Sequence, residues 1–233
     1  MRGPLNPNNF VQSEVLKSPY LDHYFFQNTK ECELDFSSPL SDKRASLVLE
    51  DFELKRLLVL NQNHTCFVDI YPSTIGHPFC DGVVTQEKKV GLLIRHADCQ
   101  AAIFFDPKKK VIAASHAGYK GQTLSIYTKV IKNMKEHFAC DPSDIKVAVS
   151  ASLGLDHAEF IHYRTEFPEI LHRYAHDGYM DLKQMALDEF LDNGLNIDNI
   201  DIQKACTFCD DKRFYSFRRD KTIKRSASLV FLK

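Results

Sequence analysis

The sequence predicts a mixed α/β (α+β) fold, a single domain of mixed sheets with flanking helices, and three observations carry that expectation. Short apolar runs bounded by Asp, Asn, Gly and Pro recur along the chain, as strands do. Two segments instead place apolar residues at helical spacing. No stretch of linker composition divides the chain, so residues 1–233 read as one domain, long enough to bury roughly 70% of its unfolded surface.

Taken in order, residues 1–45 are rich in Pro, Asn and Ser and read as an irregular lead-in with one or two short strands. Residues 45–53 alternate poorly. Residues 57–60 form a buried strand that ends at Asn61-Gln62-Asn63-His64, and the Asp81-Gly82 turn precedes a short strand at 83–85. Strands are expected at 90–94, 101–105 and 111–115, with Asp106-Pro107-Lys108-Lys109-Lys110 as a solvated hairpin tip. Gly118 and Gly121 bracket a tight turn before a helix with apolar residues at 124, 127, 130, 131, 134 and 138, closed by Asp141-Pro142. A strand at 145–149 is followed by an amphipathic helix over 181–193, with Leu182, Met185, Ala186 and Phe190 on one face and Gly194 as its cap. Strands at 200–205 and 214–217 complete the pattern.

Charge and cysteine usage narrow the function. Thirty Lys and Arg against thirty-one Asp and Glu give a net charge of −1, which argues against an obligate nucleic-acid binder. The apolar run at 101–105 is far too short to span a bilayer, so no membrane partner is expected. The opening residues MRGPLNPNNFVQSEV have no apolar signal core, and seven cysteines, an odd number without a compact framework, read as thiols. A cytoplasmic location is the expectation.

Three polar residues stand where buried strands meet turns: His64, Cys99 and His116. Two imidazoles and one thiolate make a catalytic zinc set with one position open, yet the same residues also suit a thiol–imidazole nucleophile, or three unrelated half-buried positions. His116-Ala117-Gly118-Tyr119-Lys120-Gly121 leads from a strand into a helix; its glycines serve backbone geometry, or its N–H groups and Lys120 hold an anion. A serine triad finds no support, because neighbours Ser115 and His116 point to opposite faces of a strand. Cys206-Thr207-Phe208-Cys209 has no second CxxC to complete a zinc site and reads as two thiols near a turn. The basic, aromatic stretch from Lys212 to Arg225 fits single-strand stacking, a strand whose basic edge lines a site for one anionic ligand, or a solvated face.

Six segments occur in a telling order: Asn61-Gln62-Asn63-His64, Asp81-Gly82-Val83-Val84-Thr85, Ala97-Asp98-Cys99, the His116 to Gly121 segment, Cys206-Thr207, and Ser216-Phe217-Arg218-Arg219-Asp220. From about residue 50 to 233 the chain thereby resembles the laccase-domain (YfiH-type) family, long labelled multicopper polyphenol oxidases and now associated with purine nucleoside phosphorylase activity. The resemblance implies an α/β domain, one zinc ion on His64, Cys99 and His116, and phosphorolysis of purine nucleosides (adenosine, inosine or guanosine, methylthioadenosine) with adenosine deamination at the same site. The chain departs from the family pattern in three places. Tyr119-Lys120 replaces Trp-Arg, Ser150-Ala151-Ser152-Leu153-Gly154 lacks the family's Pro, and Thr222-Ile223-Lys224-Arg225 replaces Thr-Gly-Arg. Lysine keeps charge without the bidentate fork of arginine.

The working expectation is a zinc enzyme, monomer or homodimer, whose partners are a small nucleoside and phosphate. Asp98, Cys99 and His64 are its candidate catalytic residues, Asp98 for proton transfer or orientation, and Asn61, Lys120 and Arg218 are its candidate substrate or phosphate contacts. Three rivals remain: a cysteine or zinc amidohydrolase editing peptidoglycan precursors, a copper polyphenol oxidase, and a nucleic-acid binder.

Overall fold

A strand covered on both faces needs no polar alternation, and the central runs of this chain are built that way. The computed structural model describes residues 9–28, 36–37, 41–73 and 79–233. The rest of the lead-in, with Cys32, lies outside the described residues. In chain order the elements are β1 (Phe10–Val11), β2 (Leu21–Phe26), α1 (Asp42–Asp51), β3 (Arg56–Val59), β4 (Val68–Tyr71), β5 (Gly82–Thr85), β6 (Val90–His96), β7 (Gln100–Asp106) and β8 (Val111–Ala117). There follow α2 (Tyr119–Thr123), α3 (Ile126–Phe138), β9 (Lys146–Val149), α4 (Tyr163–Glu166), β10 (Ala175–His176), β11 (Tyr179–Met180), α5 (Leu182–Asp192), β12 (Ile200–Ile202), α6 (Phe217–Asp220) and β13 (Ser226–Leu232).

Two mixed sheets dominate. One has the order β1-β2-β13-β6-β3, the other β12-β9-β7-β8-β5-β4, and β10 and β11 pair by themselves. Each large sheet combines parallel and antiparallel pairs, for β3 joins β6 in parallel while β13 joins β6 antiparallel. Alternate residues separate the layers. Leu92 and Ile94 of β6, Ile103 and Phe105 of β7, and Val230 and Leu232 of β13 fill the core between the sheets. Phe104, Ala113, Val147 and Val149 face the opposite way, onto Tyr127, Val130, Ile131 and Met134 of α3 and Phe190 of α5. Leu93, Leu229 and Phe231 form a third core with Val48 of α1. This four-layer order, helix on sheet on sheet on helix, explains why the strand sequences are continuously apolar.

Most expected elements occupy their predicted places, and the departures have local causes. The helix after Gly121 is broken in two, because Ser125 adopts a left-handed conformation (φ 56°) between α2 and α3. Leu124, expected on the buried face, is consequently 50% exposed. Helix α1 was not assigned from sequence; the Ser41 side chain caps it by accepting from the Arg44 N–H at 3.2 Å. The strand expected at 214–217 is absent: Ser216 accepts from the Arg219 N–H at 3.1 Å and starts α6 instead. Strand β12 ends at Ile202, since the carbonyls of Gln203, Lys204 and Ala205 all accept from Lys183 Nζ at 2.9–3.0 Å. Strand β13, unassigned from sequence, is fully buried between β2 and β6.

Three residues, Ala97, Asp98 and Cys99, carry the chain from β6 in one sheet to β7 in the other. Asp98 makes the corner in a left-handed conformation (φ 81°). The candidate site sits at this corner. No helix among the described residues is long and apolar enough to cross a membrane.

Candidate functional site

Cys99 stands on the β6–β7 corner, His116 near the end of β8, and His64 on the loop after β3, also left-handed (φ 57°). The fold brings one donor atom of each within 4.8 Å of the other two. Cys99 Sγ lies 3.8 Å from His64 Nε2, and the two imidazole rings meet edge to face at 4.9 Å. Gly118 makes this convergence sterically feasible, because a Cβ there would fall 2.5 Å from His64 Cδ2 and 3.1 Å from Cys99 Sγ. The glycine of the His-Ala-Gly segment is thus required by close approach; its backbone is ordinary extended chain.

Asp81 organises the cluster from behind. It is 0% exposed and accepts from His116 Nδ1 at 2.8 Å. It also accepts the backbone N–H groups of Asn63, His64 and Thr65 at 3.1, 3.1 and 2.8 Å, and the Thr65 hydroxyl at 2.8 Å. Burial alone would raise this carboxyl, but the bonds from His116 and Thr65 prevail and hold it at about 2. Ionised Asp81 therefore fixes the His116 proton on Nδ1 and leaves Nε2 to face Cys99. Sequence reading took Asp81 only as a turn residue and as part of a motif; a carboxylate that collects backbone donors leaves no spacing signal.

The charges of the cluster reinforce one another. Burial raises the Cys99 thiol, yet the adjacent His116 and His64 bring it down to about 6. Burial lowers His116, yet Cys99 and Asp81 carry it up to about 9. A thiolate beside two imidazoles, with a carboxylate behind one of them, fits a tetrahedral zinc centre with an open fourth position.

Two clefts flank Cys99. One is lined by Asp98, Tyr119, Leu153, Phe160, Phe217 and Arg218 among others. Its aromatic wall is fixed by packing, for Tyr119 and Phe160 lie 5.0 Å apart and both contact Phe167. The second holds Asn61, Gln62, His64, Arg95, His96, His116 and Arg225, with no carboxylate among its described lining residues. Burial depresses Arg95, and the charge of Arg225 adds to that shift. Burial also lowers His96 to about 3, with His116 and Arg225 contributing in the same direction. Among the described residues, Arg95 Nε and His96 Nδ1 are buried without a hydrogen-bond partner. Like charges converging on one cleft suit an anion.

The other residues singled out from sequence are distributed unevenly. Asp98 lines the aromatic cleft, but both its oxygens are engaged, by the Thr207 hydroxyl at 2.7 Å and the Arg218 N–H at 2.6 Å. Arg218 lies there too, its Nη1 donating to the Glu159 carbonyl at 3.0 Å and its guanidinium 5.5 Å from the Phe160 ring. Asn61 is in the basic cleft, whereas Lys120 is exposed and lines neither. Arg95 carries no site signal in the sequence, whereas Arg225 ends the basic stretch read as one that could line a site for an anionic ligand. In the basic C-terminal stretch, Arg213 pairs with Asp210 at 2.6 Å and Arg219 with Asp220 at 2.7 Å, so it forms no unbroken cationic face.

The chain is 30% identical over 183 residues to the purine nucleoside phosphorylase Cj1217c of Campylobacter jejuni, covering 78% of this chain and 79% of that one. It is 30% identical over 152 residues to the purine nucleoside phosphorylase YlmD of Bacillus subtilis, covering 60% and 54% respectively. The crystal structure of the Bacillus licheniformis hypothetical protein YfiH superposes with a TM-score of 0.79 at 18% identity, over 97% of this chain and all of that one, which establishes the shared fold. The family model for multi-copper polyphenol oxidoreductase laccase matches residues 28–233, and the chain belongs to that family.

Proposed function

We propose that the protein is a zinc-dependent purine nucleoside phosphorylase. The observation that carries this reading is the meeting of an aromatic cleft and a basic cleft at Cys99. A nucleoside and a phosphate dianion are the pair of ligands such a divided site suits. The names of the Campylobacter and Bacillus relatives support the same assignment.

His64, Cys99 and His116 would hold the metal, which when bound supplies a Lewis acid that lowers the pKa of an oxygen nucleophile. Thiolate and imidazole also suit copper, so metal analysis of the purified protein belongs with the assay. Arg95 and Arg225 hold phosphate against the ribose, and Phe160, Tyr119 and Phe217 wall the purine. In phosphorolysis a phosphate oxygen forms a bond to the anomeric carbon while the carbon–nitrogen bond breaks. Its electron pair leaves with the purine, which takes up a proton. Asp98 acts here as a positioning residue, since its two accepted hydrogen bonds tie the Cys99 corner to Thr207 and Arg218. In the same cleft adenosine deamination is a second activity, in which a water oxygen bonds to purine C6 as the bond to the amino nitrogen breaks and ammonia leaves.

A thiol amidohydrolase would use the same Cys99–imidazole pair but has no need of a basic cleft beside it. Product analysis with adenosine, with and without phosphate, tests the proposal. Adenine and ribose 1-phosphate, formed only with phosphate and abolished by chelation, are expected, with inosine marking deamination. A zinc-loaded preparation that turns over no purine nucleoside would overturn it. Activity on amide substrates that survives chelation and dies on alkylation would move the assignment to the hydrolase.

A further inference from the structure

A second group of soft donors lies behind the wall of the aromatic cleft. Cys206, Cys209 and His157 offer one Sγ, one Sγ and one ring nitrogen, all within 4.8 Å of one another. The third donor is remote in sequence from the CxxC pair and reaches it through the fold. Strand-like pairing of Ser152 with Cys206 lays the two segments side by side, and the Thr207 N–H donates to the Ser152 carbonyl at 3.1 Å.

The arrangement is held before any ion arrives. A turn closed by the Asp210 N–H on the Cys206 carbonyl at 3.2 Å spans both cysteines. Lys183 Nζ ties down the three carbonyls that precede Cys206. The Gly154 N–H donates to Cys206 Sγ at 3.2 Å, and a Cβ on Gly154 would stand 3.1 Å from Cys206 Cβ. Such an N–H donor to sulfur is a common outer contact of a ligating thiolate. The His157 ring is stacked on Phe208 at 4.0 Å with 21° between planes, which limits its rotation. Cys209 is exposed and the other two are half-buried, so an ion has a path in.

We infer that Cys206, Cys209 and His157 form a second site for a thiophilic divalent metal, zinc in the first place, with water as the fourth ligand. Two thiolates and one imidazole match the donor preference of zinc. The site is joined to the first by one residue: Thr207, between the two cysteines, donates from its hydroxyl to Asp98 at 2.7 Å, and Asp98 precedes Cys99. Filling the second site braces the loop that holds Asp98 in place. It does not depend on the nucleoside assignment.

The experiment is metal stoichiometry on the full chain, kept reduced with a phosphine, saturated with zinc and freed of excess by gel filtration. Wild type should retain two zinc ions per chain. Cys209→Ser, His157→Ala and Cys99→Ala should each retain one, and Cys99→Ala/Cys209→Ser none. Cobalt substituted into Cys99→Ala should show thiolate-to-metal charge-transfer absorption that disappears in the double variant. One zinc per wild-type chain, unchanged in Cys209→Ser, would overturn the inference. Failure of the first site alone would appear as one zinc in both wild type and Cys99→Ala.

Discussion

The two donor clusters contain nearly the same atoms and are built in different ways. His64, Cys99 and His116 sit at the corner where two sheets join, backed by a buried carboxylate and opening on two clefts. His157, Cys206 and Cys209 sit on surface loops, steadied by backbone contacts and a ring stack, with no buried acid behind the imidazole among the contacts described. The difference teaches what separates a ligand set that can do chemistry from one that can brace a structure. Catalysis needs a fixed tautomer and room for substrates beside the donors. Bracing needs only the donors.

The sharpest way to break this comparison is to remove one thiol from each cluster. Cys99→Ala should lower phosphorolysis on the order of a thousandfold or more, because several kcal/mol of transition-state stabilisation depends on the first site. Cys209→Ser should lower it less than about tenfold, by loosening the Asp98 loop. Equal losses in kcat would show that the two clusters are not divided in this way.

Removing the backing acid comes next. Asp81→Asn should weaken zinc at the first site by about 10- to 100-fold, the usual effect of an outer hydrogen-bond partner, and leave the second site unchanged. Competition with a chromophoric chelator on each single-site variant reads both affinities.

The pH dependence of stability provides a third test. Asp81 is held at about 2 in the fold, below its ordinary 3.8, so its contribution is present above pH 3.8 and is lost as pH falls toward 2. By its shift the contribution is about 2 kcal/mol. In the metal-free chain the Cys99 contribution fades as pH falls through about 6, and that of His116 as pH rises through about 9. Thermal denaturation of metal-free protein should therefore show a Tm plateau between those values that Cys99→Ala removes. A plateau that survives the substitution would contradict the thiolate–imidazolium pairing.

The smallest expected effect separates the two cations read from sequence from the two found in the basic cleft. Arg225→Ala should raise KM for phosphate about tenfold, the worth of a lost charge-assisted hydrogen bond. Lys120→Ala, on an exposed side chain outside both clefts, should change it by less than about twofold. Initial rates at varied phosphate decide between them, and reversed effects would restore Lys120 as the anion contact.

Much of this protein was legible residue by residue. The strands at 90–94, 101–105 and 111–115 announce themselves because both faces of each are buried, which leaves continuous apolar runs. Helix α5 is marked by its capping Asp181 and by Gly194 at φ 88°. The trio His64, Cys99 and His116 stands out because polar residues at the ends of apolar strands need a reason to be there. Periodicity is silent on Ser125, where one left-handed residue divides a helix whose apolar spacing looks unbroken. It is also silent on Ser216, which caps a helical turn inside a run of aromatics that resembles a strand.

The residue pattern alone determines the class of fold, the strands at 90–94, 101–105 and 111–115, and the three donors near strand ends, because burial on both faces writes itself into residue type. Tertiary structure is needed to see that Asp81 stands behind His116, that Arg95 and Arg225 share a cleft while Lys120 lines neither, and that His157 meets Cys206 and Cys209. Each of these depends on which buried faces and loops come together across the sheets, and a one-dimensional pattern records that a face is covered without recording what covers it.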